Sequence, residues 1–306
     1  MSVTPDLSVK LGPLTLKNPV MTASGTCGYG LELKEFCPPE KLGAVVAKGV
    51  SLTPWTGNET PRMAEAAGGL INAIGLENMG VEAFAEKALP ALKAAGATVA
   101  ANILGHTAEE YGRLAARLAV TEVDLLEVNV SCPNVACGGL SFGADPVMVG
   151  EVAGAVRDNC GGKPFMVKLT PLASDIVAVA RAAEAAGAAA VSLINTIPAM
   201  AVDLEKRRPK LANVVGGLSG PAIKPVALRQ VWLCARALKI PVVGLGGIAS
   251  ARDALEFILV GAAAVQIGTA ALIDPRTPMK IIDDIRAWMI KEGLRDLDQF
   301  RGGLDV

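Results

Sequence analysis

Eight short runs rich in Val and Ile alternate with helix-like stretches between residues 19 and 269 of this chain. They are PVMTAS (19–24), AVVAKG (44–49), TVAANIL (98–104), LLEVNVS (125–131), FMVKLT (165–170), AVSLINT (190–196), PVVGLGG (241–247) and AAVQIGT (263–269). Few of them alternate apolar with polar residues, so each reads as a strand covered on both faces, as in a parallel sheet. Between them lie amphipathic stretches: AEEYGRLAARLA (108–119), SDIVAVARAAEAAG (174–187) with Ser174 at the N-cap, and SARDALEFILVG (250–261) with Ser250 capping and Gly261 closing. Eight strands with intervening helices predict an α/β chain folded as a TIM barrel, a single domain over residues 1–306. LSVKLGPLTLKN (7–18) predicts a hairpin that closes the bottom of the barrel.

The competing layout is an open doubly wound sheet, because GLGGIA (244–249) has the Gly-x-Gly-x-x-Ala form of a dinucleotide loop. The next strand, however, ends near Gln266 and Thr269 with no acidic residue to hold a ribose. The barrel is therefore the better reading.

Composition removes several function classes. The chain is 51% hydrophobic and only 4% aromatic, as small-residue helices packed on parallel strands require. Its 29 basic and 30 acidic residues are spread along the sequence, and Lys206-Arg207-Arg208 reads as a solvated loop, so no nucleic-acid stripe is expected. The most apolar long stretch, residues 177–194, is broken by Arg181 and Glu184 and does not read as a membrane span. MSVTPDLSVKLG lacks the regions of a signal peptide, which makes the cytoplasm the expected location. Six cysteines form no CxxC pair and His106 stands alone, so no metal site and no disulfide framework is expected.

The segments after the second, fourth and sixth strands, residues 50–97, 132–164 and 197–240, are far longer than the other connections. In a barrel these loops all emerge at the C-terminal face, so three insertions would roof one site. The strand ends beneath that roof carry Ser24, Lys48, Asn102, Asn129, Lys168, Asn195, Gly246-Gly247 and Gly268-Thr269. Burying so many polar groups is costly unless something pairs with them, and one shared polar ligand would satisfy them together. The glycines after the last two strands suit a phosphate at helix starts. Two lysines and several amides suit a ligand with a carboxylate and alternating N–H and C=O groups, such as a pyrimidine acid. With one histidine, Ser-His-Asp and Cys-His catalysis have no support, and a proton-transfer step would fall to Cys, Lys or Asp. Cys132 follows the fourth strand in the first residues of a long loop, where a base could be carried over a substrate.

The motifs SGTCGYG (24–30), AKGVSLTP (47–54), GGLINAIGLEN (68–78), EVNVSCPN (127–134), GGLSFGADP (138–146) and VGGLSGPAIKPVALR (215–229) together closely resemble the catalytic subunit of class 1B dihydroorotate dehydrogenases. The resemblance covers nearly the whole chain. It implies an FMN-bearing TIM barrel that oxidises (S)-dihydroorotate to orotate in pyrimidine synthesis. Matched residue by residue, Cys132 is the base that takes the C5 proton while hydride leaves C6 for flavin N5. The substrate positions are Lys48, Asn72, Ala73, Ile74, Gly75, Leu76, Asn129, Asn195 and Thr196. The FMN positions are Ser24, Lys48, Gly49, Asn102, Asn129 and Lys168, then Ile194, Gly220, Gly246, Gly247, Gly268 and Thr269.

The resemblance also implies partners. Class 1B enzymes pass electrons to NAD+ through a second subunit that carries FAD and a 2Fe–2S cluster, in a heterotetramer of two catalytic and two electron-transfer chains built on a homodimer of the catalytic chain. This chain has no four-cysteine cluster pattern, so such a relay belongs on another polypeptide. Class 2 enzymes carry an N-terminal extension and a serine base, and neither feature is present. The alternatives are a fumarate-dependent class 1A enzyme, a Schiff-base aldolase using Lys168, and a flavin-binding scaffold without catalysis.

Overall fold

The computed structural model describes residues 4–130, 136–137 and 140–306. All eight expected runs are strands: Val20–Thr22, Val45–Val46, Val99–Ile103, Leu125–Asn129, Phe165–Lys168, Ala190–Leu193, Val242–Leu245 and Ala264–Ile267. They pair in parallel in the order first, eighth, seventh, sixth, fifth, fourth, third, second. A parallel bridge between Met21 and Ala44 joins the two ends. There the Thr22 N–H donates to the Ala44 carbonyl at 3.3 Å and the Gly43 N–H to the Val20 carbonyl at 2.8 Å, closing the ring. The sheet thus has no free edge, and the fold is a TIM barrel.

Every residue of the third, fourth, fifth and sixth strands is buried, because helices cover the outside and side chains fill the inside. Helix Ala108–Ala119 starts at Thr107, whose hydroxyl accepts from the Glu110 N–H, and it buries Tyr111, Leu114 and Leu118. Helix Ala251–Leu259 starts at Ser250 in a complete capping box with Asp253. The helix expected to start at Ser174 begins one residue later, as Ile176–Ala185. Asp175 caps it, accepting from the Val177 and Ala178 N–H groups at 3.0 Å each. A carboxylate satisfies two orphan donors and adds charge to the positive end of the helix, which explains the correction.

The N-terminal hairpin pairs Val9–Leu11 with Leu14–Leu16. Its turn sits against Ala189, just before the sixth strand, which is the bottom of the barrel. At the opposite end two of the three insertions fuse. Met63–Ala66 and Gly69–Asn72, from the insertion after the second strand, join Val215–Ser219 and Ile197–Met200, from the insertion after the sixth. Together they form one four-stranded antiparallel sheet. A small apolar cluster of Ala64, Ile71 and Leu211 sits against this sheet, apart from the main core, which runs from Leu7 to Leu297.

Cys27, Cys37, Cys160 and Cys234 are buried free thiols, as expected. Among the described residues, no group of His, Cys, Asp and Glu could hold a metal, and no helix is long and apolar enough to cross a membrane.

Candidate active site

The C-terminal ends of the strands bring polar side chains into an apolar shell. Asn102, Asn129 and Lys168 are all buried, on the third, fourth and fifth strands. Lys168 lies opposite Asn129 in register, and among the described residues its ammonium has no hydrogen bond or ion pair. A buried, unpaired ammonium is costly, so this position fits a negatively charged or strongly accepting ligand. The Asn129 side-chain amide donates to Asn102 Oδ1 at 3.4 Å, and the Tyr111 hydroxyl donates to the Asn129 carbonyl at 2.7 Å. Gly49 packs on the same amide, where a Cβ would come within 2.8 Å of Asn102 Oδ1. Lys48 precedes it, half-buried, its N–H donating to the Gly28 carbonyl at 3.0 Å.

Beneath these residues lies Glu127, wholly buried on the fourth strand. Its carboxylate accepts from Asn102 Nδ2 at 2.6 Å, from Gln266 Nε2 at 2.7 Å and from Ser192 Oγ at 2.9 Å.

The fused sheet supplies one wall. Asn72 lies opposite Gly217 in register, and its amide donates to the Gly217 carbonyl at 3.4 Å. A Cβ on Gly217 would come within 2.0 Å of Thr196 Oγ1, so Asn72 and Thr196 flank one glycine. The backbone that follows Asn72 is pinned from two sides. The Asn58 side chain donates to the Ala73 carbonyl at 3.0 Å, its N–H to the Ile74 carbonyl at 3.0 Å, and Asn78 Nδ2 to the Leu76 carbonyl at 2.9 Å. Arg62 bonds the Asn58 carbonyl and the Glu77 carboxylate, bracing the same turn. Leu76 is held at φ +56°, a strained conformation of the kind found at ligand contacts. Outside this turn opens a cleft of about 450 Å³ lined by Trp55, Asn58, Gly75, Leu76 and His106. The Trp55 ring stacks on His106 with centroids 4.9 Å apart.

A second group forms after the seventh and eighth strands. The Gly247 backbone approaches so closely that a Cβ would come within 2.8 Å of the Gly220 carbonyl and 2.9 Å of the Lys224 nitrogen. Thr269 Oγ1 donates to Ser219 Oγ at 2.8 Å. Helices Lys224–Ala237 and Ala251–Leu259 start beside these glycines, and Lys224 ties them together with ion pairs to Asp253 (2.5 Å) and Glu256 (2.9 Å). Its hydrogen bond to Asp253 raises the Lys224 pKa. Glycine backbone packed beside helix starts is an arrangement that can accept a phosphate.

The sequence model of the dihydroorotate dehydrogenase family matches residues 6–289. The chain belongs to the dihydroorotate dehydrogenase family. A protein of Trichlorobacter lovleyi is 53% identical over 98% of this chain and 99% of its own length. One of Geobacter sulfurreducens is 52% identical over 99% of each. Both carry the name dihydroorotate dehydrogenase B (NAD(+)), catalytic subunit.

Within this dihydroorotate dehydrogenase fold, the expected residues fall into two clusters. Lys48, Gly49, Asn102, Asn129 and Lys168 end the second to fifth strands, while Gly220, Gly246, Gly247, Gly268 and Thr269 gather beside the seventh and eighth. Ile194 and Asn195 join the barrel ladder, donating to the carbonyls of Leu245 at 2.8 Å and Leu169 at 3.2 Å. Thr196 follows, its N–H donating to Asn195 Oδ1 at 2.8 Å. Ser24, half-buried, follows the first strand. Cys132 lies outside the described residues, as does the side chain of Cys137. Sequence reasoning missed Glu127, Gln266, Gly217, Asn58 and Asn78. Only Glu127 left a visible signal, as a lone carboxylate in the apolar run LLEVN.

Proposed function

We propose that this chain is the catalytic subunit of a class 1B dihydroorotate dehydrogenase, oxidising (S)-dihydroorotate to orotate for pyrimidine synthesis. The observation that carries the reading is the Lys168 ammonium, buried and unpartnered among the described residues beside Asn129, in a chain similar end to end to NAD(+)-dependent catalytic subunits.

The residues fit FMN. Gly220, Gly247 and Thr269 would hold the phosphate, Ser24, Gly49, Ile194, Gly246 and Gly268 would border the ring and ribityl chain, and Asn102, Asn129 and Lys168 would face the polar edge of the flavin. A cation at that edge favours the negative charge that develops on reduction. When bound, FMN supplies the acceptor for the hydride that leaves substrate C6. Lys48 offsets the substrate carboxylate. Asn72, Asn129, Asn195 and Thr196 match the ring's donors and acceptors, with Ala73, Ile74, Gly75 and Leu76 closing over it. Cys132, as thiolate, takes the C5 proton, and loss of that proton and the C6 hydride leaves the C5=C6 double bond of orotate.

The electrons pass to NAD+ through a partner subunit holding FAD and a 2Fe–2S cluster, in a heterotetramer of two catalytic and two electron-transfer chains. A homodimer of the catalytic chain is its centre, and exposed Met200, Val202, Leu204, Val214 and Val215 around the fused sheet suit that contact. Residues 1–306 act as one FMN-binding domain in the cytoplasm, with no role for nucleic acid or membrane.

Anaerobic addition of dihydroorotate to the purified yellow chain tests the chemistry. The visible flavin band should bleach; a yellow protein that does not bleach would refute the assignment. NAD+ reduction should require the iron–sulfur partner, whereas efficient turnover with fumarate by the chain alone would make it class 1A.

A further inference from the structure

Glu127 takes no part in the chemistry described above, yet it is buried inside the barrel directly below the proposed flavin contacts. Strand periodicity puts Glu127 and Asn129 on the same face, and Glu127 lies opposite Asn102 in register. The carboxylate accepts from Asn102 on one oxygen and from Ser192 and Gln266 on the other.

A carboxylate only accepts, whereas an amide both donates and accepts. Asn102 must therefore turn its Nδ2 down to Glu127 and its Oδ1 up, where it accepts from Asn129 Nδ2. Gln266 shows how strongly the carboxylate dictates this arrangement. It directs Nε2 at Glu127 although its own buried Oε1 then has no hydrogen-bond partner among the described residues.

We propose that Glu127 is a positioning residue that fixes the polarity of the Asn102–Asn129 amide pair, and with it the hydrogen-bonding groups this pair offers the cofactor. The proposal rests on the reading that Asn102 and Asn129 face the flavin. Glu127→Gln is nearly isosteric but has one acceptor oxygen for three donors, and where that oxygen stays toward Ser192 and Gln266 its amide nitrogen is turned to Asn102. That nitrogen then faces Asn102 Nδ2, donor against donor, so Asn102 turns over and Asn129 turns with it. Adding Asn102→Asp supplies an acceptor at that point, which takes the new amide's N–H from below and Asn129 Nδ2 from above. The double variant has the charge of the wild type and returns Asn129 to its original orientation.

The test titrates FMN into apoprotein by flavin fluorescence, records the bound flavin's visible spectrum, and follows thermal unfolding of each apoprotein. Glu127→Gln should weaken FMN binding by about tenfold, within the range of coupling between contacting residues, and shift the visible band. Glu127→Asp, which keeps the acceptor, should stay within about threefold, and the double variant should recover much of the loss in affinity and in band position. Wild-type affinity and spectrum in Glu127→Gln, or a double variant no better than Glu127→Gln, overturns the proposal. If Glu127→Gln does not fold, the double variant decides: recovery of folded, FMN-binding protein supports the proposal, and continued misfolding overturns it. Asn102→Ala separates the underlying reading. Unchanged FMN affinity there removes the flavin contact and this proposal with it, whereas weakened binding there with unchanged binding in Glu127→Gln overturns the proposal alone.

Discussion

The N–H of Asn58 donates to the carbonyl of Ile74 at 3.0 Å, and the same nitrogen lies 2.5 Å from where a Cβ on Gly75 would stand. The turn proposed to carry substrate contacts is thus built on Asn58, with no room for a side chain at its tip. Gly75 also has φ +75°, which disfavours any residue with a Cβ.

Gly75→Ala should therefore destabilise the protein by roughly 1–3 kcal/mol, through strain at positive φ and collision with Asn58. It should raise the KM for dihydroorotate several-fold and leave FMN content unchanged. Steady-state kinetics with a flavin count check this; a wild-type KM would show that the turn does not touch substrate.

Lys168→Met separates stability from function. Removing a buried ammonium that has no partner among the described residues should make the FMN-free protein more stable, by about 1–3 kcal/mol, while FMN binding and flavin reduction by dihydroorotate both weaken. Thermal unfolding of the apoprotein is the decisive readout. A less stable apoprotein would mean that Lys168 is compensated without the cofactor.

Cys132→Ser should bind dihydroorotate and FMN as the wild type does, yet reduce its flavin on the order of a hundredfold or more slowly at neutral pH, since a hydroxyl is a far poorer base than a thiolate. Stopped-flow bleaching measures the rate. An unchanged rate would remove Cys132 from the mechanism.

Burial raises the Cys27 thiol from 9.0 to about 11, and the Cys37 and Cys234 thiols to about 12. The folded state then holds these protons at a pH where the unfolded chain has lost them. Their contribution to stability is complete below pH 9 and is lost as pH rises toward the folded values. The melting temperature should fall steeply above about pH 9, less so in Cys234→Ala, and all three thiols should resist alkylation in folded protein at neutral pH. An identical alkaline slope in Cys234→Ala would contradict the burial argument.

The barrel was legible because a strand covered on both faces is apolar along most of its length, and eight such runs recur between amphipathic helices. The polar strand ends were legible for the complementary reason: a lysine such as Lys168 is costly in a core without a partner. Local chemistry also placed the cap at Ser250, but at residues 174 and 175 two good caps competed, and the carboxylate took the position. What stayed hidden depends on contacts distant in sequence. Asn72 meets Gly217 across 145 residues, and Glu127 meets Gln266 across 139. Neither periodicity nor motif spacing reports such pairings, since the barrel must close before they exist.

The fused sheet has a mechanical consequence. Asn72 and Thr196, both proposed substrate contacts, lie in insertions that follow different strands, yet Asn72 pairs with Val215–Ser219 and Thr196 directly precedes Ile197–Met200, which pairs with the same strand. Neither wall is a separate lid. Any movement that admits dihydroorotate or releases orotate past this side must lift both contacts as one plate or leave both in place, so a ligand that loses its hold on Asn72 by such a movement loses Thr196 in the same event.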